Sequence, residues 1–148
     1  MRSDRQMDKF QVSLDYLTEY SGVKSAVICD QEGMVVSRSP QQNGDEELHA
    51  AAGLELVRTV DRGLAGIVDP GCDYLSVKTG QDWVIVAQAS IFYLIVRAER
   101  TVDDLLNIRV SRSLEMISSY LDERYGALLR DDGQSVRKTV KNTEATYV

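Results

Sequence analysis

The side chains able to do chemistry are few in this chain and stand far apart. It contains one histidine, His49, and two cysteines, Cys29 and Cys72, in 148 residues. The cysteines show neither a CxxC motif nor the Cys/His spacing of a zinc site, so we expect two buried thiols in a reducing compartment. His49 borders the apolar face of a predicted helix, which is typical of a packing histidine rather than a catalytic base.

Paired acidic residues are the other candidates for chemistry. Glu46-Glu47 and Asp103-Asp104 fall in the first turns of predicted helices, where negative side chains favour the helix dipole, and this interpretation outweighs a carboxylate dyad. The sequence has no P-loop motif and no HExxH, GxSxG or GxGxxG motif. We therefore predict no catalytic residue, cofactor or metal site, and a binding or regulatory role instead.

Composition and charge narrow the class of partner. The chain is 43% hydrophobic and 27% charged, as expected of one ordinary soluble domain with its own core. Its net charge of −6 argues against general binding to nucleic acid, since an acidic surface repels phosphate backbones. The longest apolar run, Ile91 to Val96, is too short to span a membrane, and the first residues do not resemble a signal peptide. We expect a cytoplasmic protein.

Apolar periodicity predicts the elements that must position these residues. After a first helix, short β-branched runs on either side of Asp30–Gly33 indicate a tight hairpin. A second helix is predicted from about Asp45 to about Arg62, and three closely spaced strands follow it. A capping box, Thr101 with Asp104, is expected to start the final helix. This order predicts an α+β fold, a five-stranded antiparallel sheet with helices on both faces.

The predicted domain covers residues 4–125 and is followed by a C-terminal tail, 126–148. A capping box formed by Ser3 and Gln6 is expected near the start of the first helix. After Tyr125-Gly126 the sequence is mildly basic and has few large apolar side chains to offset the entropy of ordering. The tail is therefore expected to be flexible.

The second predicted helix has more apolar surface than one sheet can cover. Its charged residues share one sector of a wheel drawn at ~100° per residue, which leaves an apolar arc of roughly 240°, where a surface helix needs little more than about 100°. The arc contains Leu48, Ala52, Leu56 and Val60 in one row and Ala50, Leu54, Val57 and Leu64 in another, with Gly53 between them. The apolar surface that the sheet cannot cover predicts a partner helix, most simply the same helix of a second copy in a twofold homodimer.

The strand predicted over Asp73–Thr79 can reinforce such a dimer. It opens the meander and can lie at a sheet edge with unpaired backbone groups. Lys78 can equally act as a gatekeeper against pairing, and periodicity leaves that open. A monomer whose Ser37–Gly44 loop or tail covers the arc is the alternative. The predicted interface contains these residues: Leu48, Ala50, Ala52, Gly53, Leu56, Val57, Val60, Tyr74, Leu75 and Val77.

Three sequence patterns carry a family resemblance. They are Leu17-x4-Gly22-Val23-x2-Ala26-Val27-Ile28-x-Asp30-x2-Gly33-x-Val35-Val36-Ser37, then Asp45-Glu-Glu-Leu-x-Ala-Ala-Ala-Gly-Leu, and the strands Tyr74-Leu-Ser-Val and Trp83-Val-Ile-Val. Together with the order of elements, they resemble the roadblock family, of the dynein light chain roadblock type, over about residues 8–122. Within that family the sequence is similar to bacterial regulators of the MglB type.

The resemblance implies a roadblock/profilin-like sheet with the first and third helices on one face and the second on the other. It implies a homodimer, joined through second helices and third strands into a ten-stranded sheet, and a Ras-like small GTPase as partner, since MglB-type regulators activate the GTPase MglA. The dimer would stimulate GTP hydrolysis by repositioning the GTPase's own catalytic groups, without an inserted arginine. The candidate contact residues are Glu47, Glu55, Arg58 and Arg62. The alternatives are a scaffold that holds a GTPase or motor subunit without altering turnover, and a small-ligand sensor.

Overall fold

Three helices and five strands form the part of the chain that the computed structural model describes, residues 9–39 and 44–124. In chain order the elements are α1 (Lys9–Thr18), β1 (Val23–Asp30), β2 (Val35–Arg38), α2 (Glu46–Gly63), β3 (Tyr74–Lys78), β4 (Asp82–Ala89) and β5 (Phe92–Glu99). The third helix, α3, runs from 105 to 124, where the described part ends. The predicted order of elements is confirmed.

The chain divides into two units, Met1–Ser118 and Ser119–Val148. The structure describes the sheet and most of the helical residues in the first unit, and only the helical residues 119–124 in the second. The capping box predicted at Ser3 and Gln6, and the predicted tail, 126–148, lie outside the described residues.

The five strands form one antiparallel sheet in the order β2-β1-β5-β4-β3. β3 pairs with β4 along its whole length without a shift in register. The pairing of β2 with β1 shifts between Ile28 and Cys29, and β2 has only four residues. The predicted position of β3 at an edge is confirmed, and this edge is longer and more regular than the one at β2.

The sheet has a core on each face. One core lies between the sheet and α2 and consists of Val27, Cys29, Ala50, Leu54, Val57, Val86 and Ile95. Because side chains alternate along a strand, Ile28 points to the other face, where Leu14 of α1 and Leu106 of α3 are fully buried. The hydroxyl of Ser113 in α3 donates a hydrogen bond to the carbonyl of Ser13 in α1, at 3.3 Å. Helices therefore cover both faces, as predicted.

The final helix begins later than the predicted capping box. Thr101 and Val102 precede it, and the side chain that bonds to its first turn is Asp103, whose Oδ1 accepts a hydrogen bond from the N–H of Leu105 at 3.2 Å. Val102 packs directly on Gly22, which has a φ of +96° that favours glycine. The chain must pass this contact before it can turn into the helix, so the predicted start at Thr101 is wrong.

Candidate protein-interaction surface

α2 turns one of its two apolar rows toward the sheet. Ala50, Leu54 and Val57 are at most 5% exposed and belong to the core beneath the helix. Gly53 lies so close to β5 that a Cβ atom on it would stand 2.6 Å from Cγ1 of Ile95. Ala50, Gly53 and Val57 are thus covered by their own chain, because the helix approaches the sheet along its small residues. Their assignment to the interface with a second copy is wrong.

The other apolar row of α2 is left uncovered by the described residues. Leu48 is 66% exposed and Leu56 is 37% exposed. Ala52 is also exposed, and Val60 is half-buried. Contiguous apolar surface of this kind is unfavourable in water and marks sites of interaction. The surplus apolar surface predicted from the sequence is therefore present, and its cover by a second copy stays a prediction.

The apolar surface continues beyond the end of the helix through Leu64, which the predicted arc included, to Ile67 and Val68, which sequence reasoning missed. Leu64, Ile67 and Val68 lie in the turns after α2 and are 42%, 77% and 51% exposed. Ile67 and Val68 fall outside every predicted element, so no periodicity singled them out. The available signal was the presence of large apolar side chains in a glycine-containing connection, where polar residues are the rule.

The exposed row of α2 and the edge strand border one groove. Val60 and Leu64 line the groove on the helix side, and Tyr74 and Leu75 line it on the side of β3. Asp61 fixes the connection between them, since its Oδ1 accepts hydrogen bonds from two backbone N–H groups just before β3, at 2.9 and 3.1 Å. The helix row and the strand edge therefore form one surface, called here the α2/β3 surface.

The side chains of β3 leave its outer edge open. Leu75 and Val77 lie on the α2 face and are half-buried. Lys78 lies on the other face, with Nζ 4.4 Å from the centroid of the Trp83 ring. The ring attracts the ammonium electrostatically and holds it over the lysine's own sheet. This placement argues against the gatekeeper role that the sequence left open for Lys78.

Two hydrogen bonds tie the other side chains of β3 to its own chain. Nε1 of Trp83 donates to the hydroxyl oxygen of Ser76 at 2.7 Å. The hydroxyl of Tyr74 donates to Oδ1 of Asn107 in α3, and burial raises the pKa of Tyr74. The edge strand is therefore held in place by its own chain. Among its outer backbone groups, the carbonyl of Tyr74 accepts a weak hydrogen bond from Sγ of Cys72 at 3.8 Å, and no other described strand pairs with this edge.

Two of the four candidate GTPase contacts lie toward the β2 edge. Nη2 of Arg38 in β2 lies 3.3 Å from Oε2 of Glu47, and Nη2 of Arg58 donates to the carbonyl of Gln31 in the β1–β2 turn at 3.3 Å. Arg38 also pairs with Glu46 at 2.8 Å, and the Glu46 side chain is only 4% exposed. The N–H of residue 44 donates to Glu46 and, with Arg38, lowers the pKa of that carboxyl. The sequence assigned Glu46 to the helix dipole and missed this pair.

The other two candidates, Glu55 and Arg62, pair with each other. Oε2 of Glu55 lies 3.1 Å from Nη2 of Arg62, which also donates to the hydroxyl of Thr59 at 3.2 Å. The two charged side chains are 60% and 66% exposed. Exposed pairs stabilise a fold by only about 0–1 kcal/mol, so a partner can exchange this pair for its own contacts at little cost.

The residues considered for catalysis do not converge. Among residues 9–39 and 44–124, no group of His, Cys, Asp and Glu side chains is arranged to bind a metal ion. Cys29 is fully buried, and burial raises the pKa of its thiol to about 11, which makes it unreactive at neutral pH. Cys72 is free, and His49 is half-buried on α2. Within the same ranges, no helix is long and apolar enough to cross a membrane.

Known structures of similar shape include roadblock domains, MglB proteins and, with lower TM-scores, profilins, although no family model and no curated protein matches the sequence. MglB of Myxococcus xanthus is 18% identical with a TM-score of 0.69, over 79% of this chain and 90% of that one. A Roadblock/LC7 domain from Streptomyces avermitilis is 20% identical with a TM-score of 0.66, over 75% and 96%. The gliding protein MglB of Thermus thermophilus is 12% identical with a TM-score of 0.68, over 78% and 90%. The chain therefore has the fold of the roadblock domains, the fold shared by the MglB proteins.

Proposed function

We propose that the protein is a homodimeric regulator that binds a Ras-like, MglA-like small GTPase in the cytoplasm. In this proposal it stimulates GTP hydrolysis by repositioning the GTPase's own catalytic groups. The observation that carries the proposal is the uncovered apolar row of α2, which adjoins the open edge of β3. The likeness of the fold to MglB supports the same partner class.

A second copy fits the α2/β3 surface. A twofold dimer needs one self-complementary patch, and the exposed row has a small residue, Ala52, between Leu48 and Leu56, so that two such helices can approach closely. Pairing of two β3 strands would join two five-stranded sheets into one of ten. The β2 edge suits this less well, because it is short and bulged and a bulge twists an edge away from pairing.

The charged side of α2 is the proposed contact with the GTPase. Glu47 and Arg58 lie toward β2, away from the groove, and Glu55 and Arg62 are about two-thirds exposed, so all four can remain at the surface when the apolar row is covered. Phosphoryl transfer depends mainly on positioning and electrostatics, so a partner that orders the GTPase's own groups suffices to accelerate it. Arg62 is paired with Glu55, and Arg58 is bound to a carbonyl of its own chain. These contacts favour docking roles for both arginines over insertion into the nucleotide site.

Single-turnover GTP hydrolysis tests this proposal. Ras-like GTPases of the same organism are loaded with GTP and mixed with saturating protein, and we expect faster hydrolysis than without it. Arg58→Ala and Arg62→Ala should weaken binding of the GTPase and leave the rate at saturation close to that of the unsubstituted protein. Arg112→Ala, on α3, is the matched control and should change neither quantity. A loss of about three orders of magnitude at unchanged affinity would reveal an inserted arginine and overturn this mechanism.

The same experiment separates the alternatives. Binding that depends on GTP, with equal hydrolysis rates in the presence and absence of the protein, would select a scaffold. Failure to bind any of these GTPases in either nucleotide state would overturn both functions. A small molecule that co-purifies with the protein would then favour a sensor.

A further inference from the structure

Met34 is a large apolar side chain that stands in solvent at the turn between β1 and β2. It is 64% exposed and directly precedes β2. In the strand order β2-β1-β5-β4-β3, β2 and β3 are four strand spacings apart, about 19 Å across the sheet. A second copy bound along β3 therefore leaves Met34 free to contact another partner.

The β1–β2 turn fixes the backbone beneath Met34. Oδ1 of Asp30 accepts hydrogen bonds from the N–H groups of Glu32 and Met34, both at 2.9 Å. The N–H of Asp30 donates to the carbonyl of Met34, also at 2.9 Å, and closes the turn. Gly33 has a φ of +89°, which glycine adopts without strain. Because the turn is already ordered, a partner that binds Met34 does not have to order this segment first.

The charged side of α2 contacts this hairpin on both sides of Met34 along the chain. Before Met34, the carbonyl of Gln31 accepts the hydrogen bond from Nη2 of Arg58 at 3.3 Å. After Met34, Nη2 of Arg38 lies 3.3 Å from Oε2 of Glu47. Arg58 and Glu47 are two of the four candidate contacts with the GTPase, so a partner docked on them reaches Met34 as well.

The charged residues alone would make a weak contact. An exposed ion pair contributes little, because its attraction is screened by water and offset by the loss of side-chain freedom. A protein interface derives most of its affinity from a few well-packed side chains at its centre, inside a polar rim. Methionine is enriched in interfaces, since its long, polarisable side chain adapts to an irregular apolar surface. Met34, with exposed Val36 two residues later, supplies such a side chain beside Glu47 and Arg58.

We propose that Met34 is the apolar anchor of the contact with the Ras-like GTPase, and that Glu47 and Arg58 belong to the rim around it. This inference rests on the regulator function proposed above and extends its contact surface from α2 onto the β1–β2 turn. The matching surface of the GTPase is then an apolar depression, with a basic group placed for Glu47 and an acidic group placed for Arg58.

The affinity of GTP-loaded Ras-like GTPases of the same organism for Met34→Ala protein tests the anchor. The variant can no longer bury the exposed two-thirds of the methionine side chain, so the dissociation constant should rise roughly 5-fold to 30-fold. Met34→Leu keeps an apolar side chain of similar volume and should retain most of the affinity. At saturation, the rate of GTP hydrolysis with Met34→Ala should equal that with the unsubstituted protein, because an anchor contributes equally to the ground state and the transition state.

Ile108→Ala is the matched control, since Ile108 is 53% exposed but lies on α3, on the other face of the sheet. It should leave the dissociation constant unchanged. Unchanged affinity of folded Met34→Ala protein, or an equal loss in Ile108→Ala, would overturn the anchor and leave the proposed function standing. Failure of the unsubstituted protein to bind any of these GTPases would overturn the function and the anchor together.

Discussion

Leu48 and Leu54 provide a matched test of the dimer, because they are the same residue type on one helix in opposite environments. Leu48 is 66% exposed, whereas Leu54 is 4% exposed and packs in the core between α2 and the sheet. If a second copy covers the exposed row, Leu48→Ala should weaken the dimer and spare the fold. Leu54→Ala should weaken the fold itself.

The size of both effects follows from the exposures. Full burial of a leucine side chain contributes about 1.5–3 kcal/mol, so burying the exposed two-thirds of Leu48 contributes about 1–2 kcal/mol per copy. A twofold dimer contains the contact twice, and about 2–4 kcal/mol corresponds to a rise of roughly 30-fold to 1,000-fold in the dissociation constant. Truncation of Leu54 removes the same atoms from a packed core and costs about 2–5 kcal/mol of unfolding free energy.

Two measurements separate these effects. Sedimentation over a dilution series gives the dissociation constant, and chemical denaturation of the dissociated protein gives the free energy of unfolding of one chain. Leu48→Ala should raise the dissociation constant roughly 30-fold to 1,000-fold. It should change the free energy of unfolding of one chain by no more than about 0.5 kcal/mol. An unchanged dissociation constant for folded Leu48→Ala protein would refute the reasoning, as would a loss of chain stability equal to that of Leu54→Ala.

Three further outcomes are expected. Gly53→Ala should lower the free energy of unfolding by about 1–2 kcal/mol in chemical denaturation, because the added Cβ would overlap Ile95. The better helix propensity of alanine offsets only part of that cost. Gly63→Ala is the control: its Cβ would meet nothing within 4 Å, so it should not lower the free energy of unfolding. The pKa of Glu46 is lower in the folded chain than its ordinary value of 4.5. The ionised Glu46 should therefore contribute its full stabilisation at a pH above 4.5, and this stabilisation should be lost as the pH falls through the lowered pKa. Glu46→Gln should remove that part of the acid dependence, and an identical profile would contradict the assignment. Iodoacetamide at mildly alkaline pH should label Cys72 and spare Cys29 until the protein is unfolded, and equal labelling of both in the native state would be inconsistent with the burial of Cys29.

The sequence was sufficient to predict the order of elements and the uncovered apolar surface of α2, because both depend on periodicity and turn chemistry along the chain. It could not decide which of two equally spaced apolar rows faces the sheet. That choice depends on how closely the helix can approach the sheet. Gly53 packs against β5, so Ala50 and Val57 face the sheet and Leu48 faces solvent. The interface residues predicted from the wheel were therefore partly wrong, although the arc itself was present.

The contacts that sequence reasoning missed join residues of different elements. Arg38 binds Glu46 across a loop. Val102, which follows β5, packs on Gly22, which precedes the neighbouring strand β1, and this contact delays the start of α3. Neither contact leaves a local signature, because each joins two elements that only the fold brings together. The open edge of β3 was a possibility in the sequence and became definite only with the strand order.

Sedimentation equilibrium of the purified, unsubstituted chain tests most directly whether another molecule of the same protein covers α2 and β3. We predict a folded particle with the mass of two chains, which dissociates only on dilution. A folded particle with the mass of one chain at every concentration would contradict this.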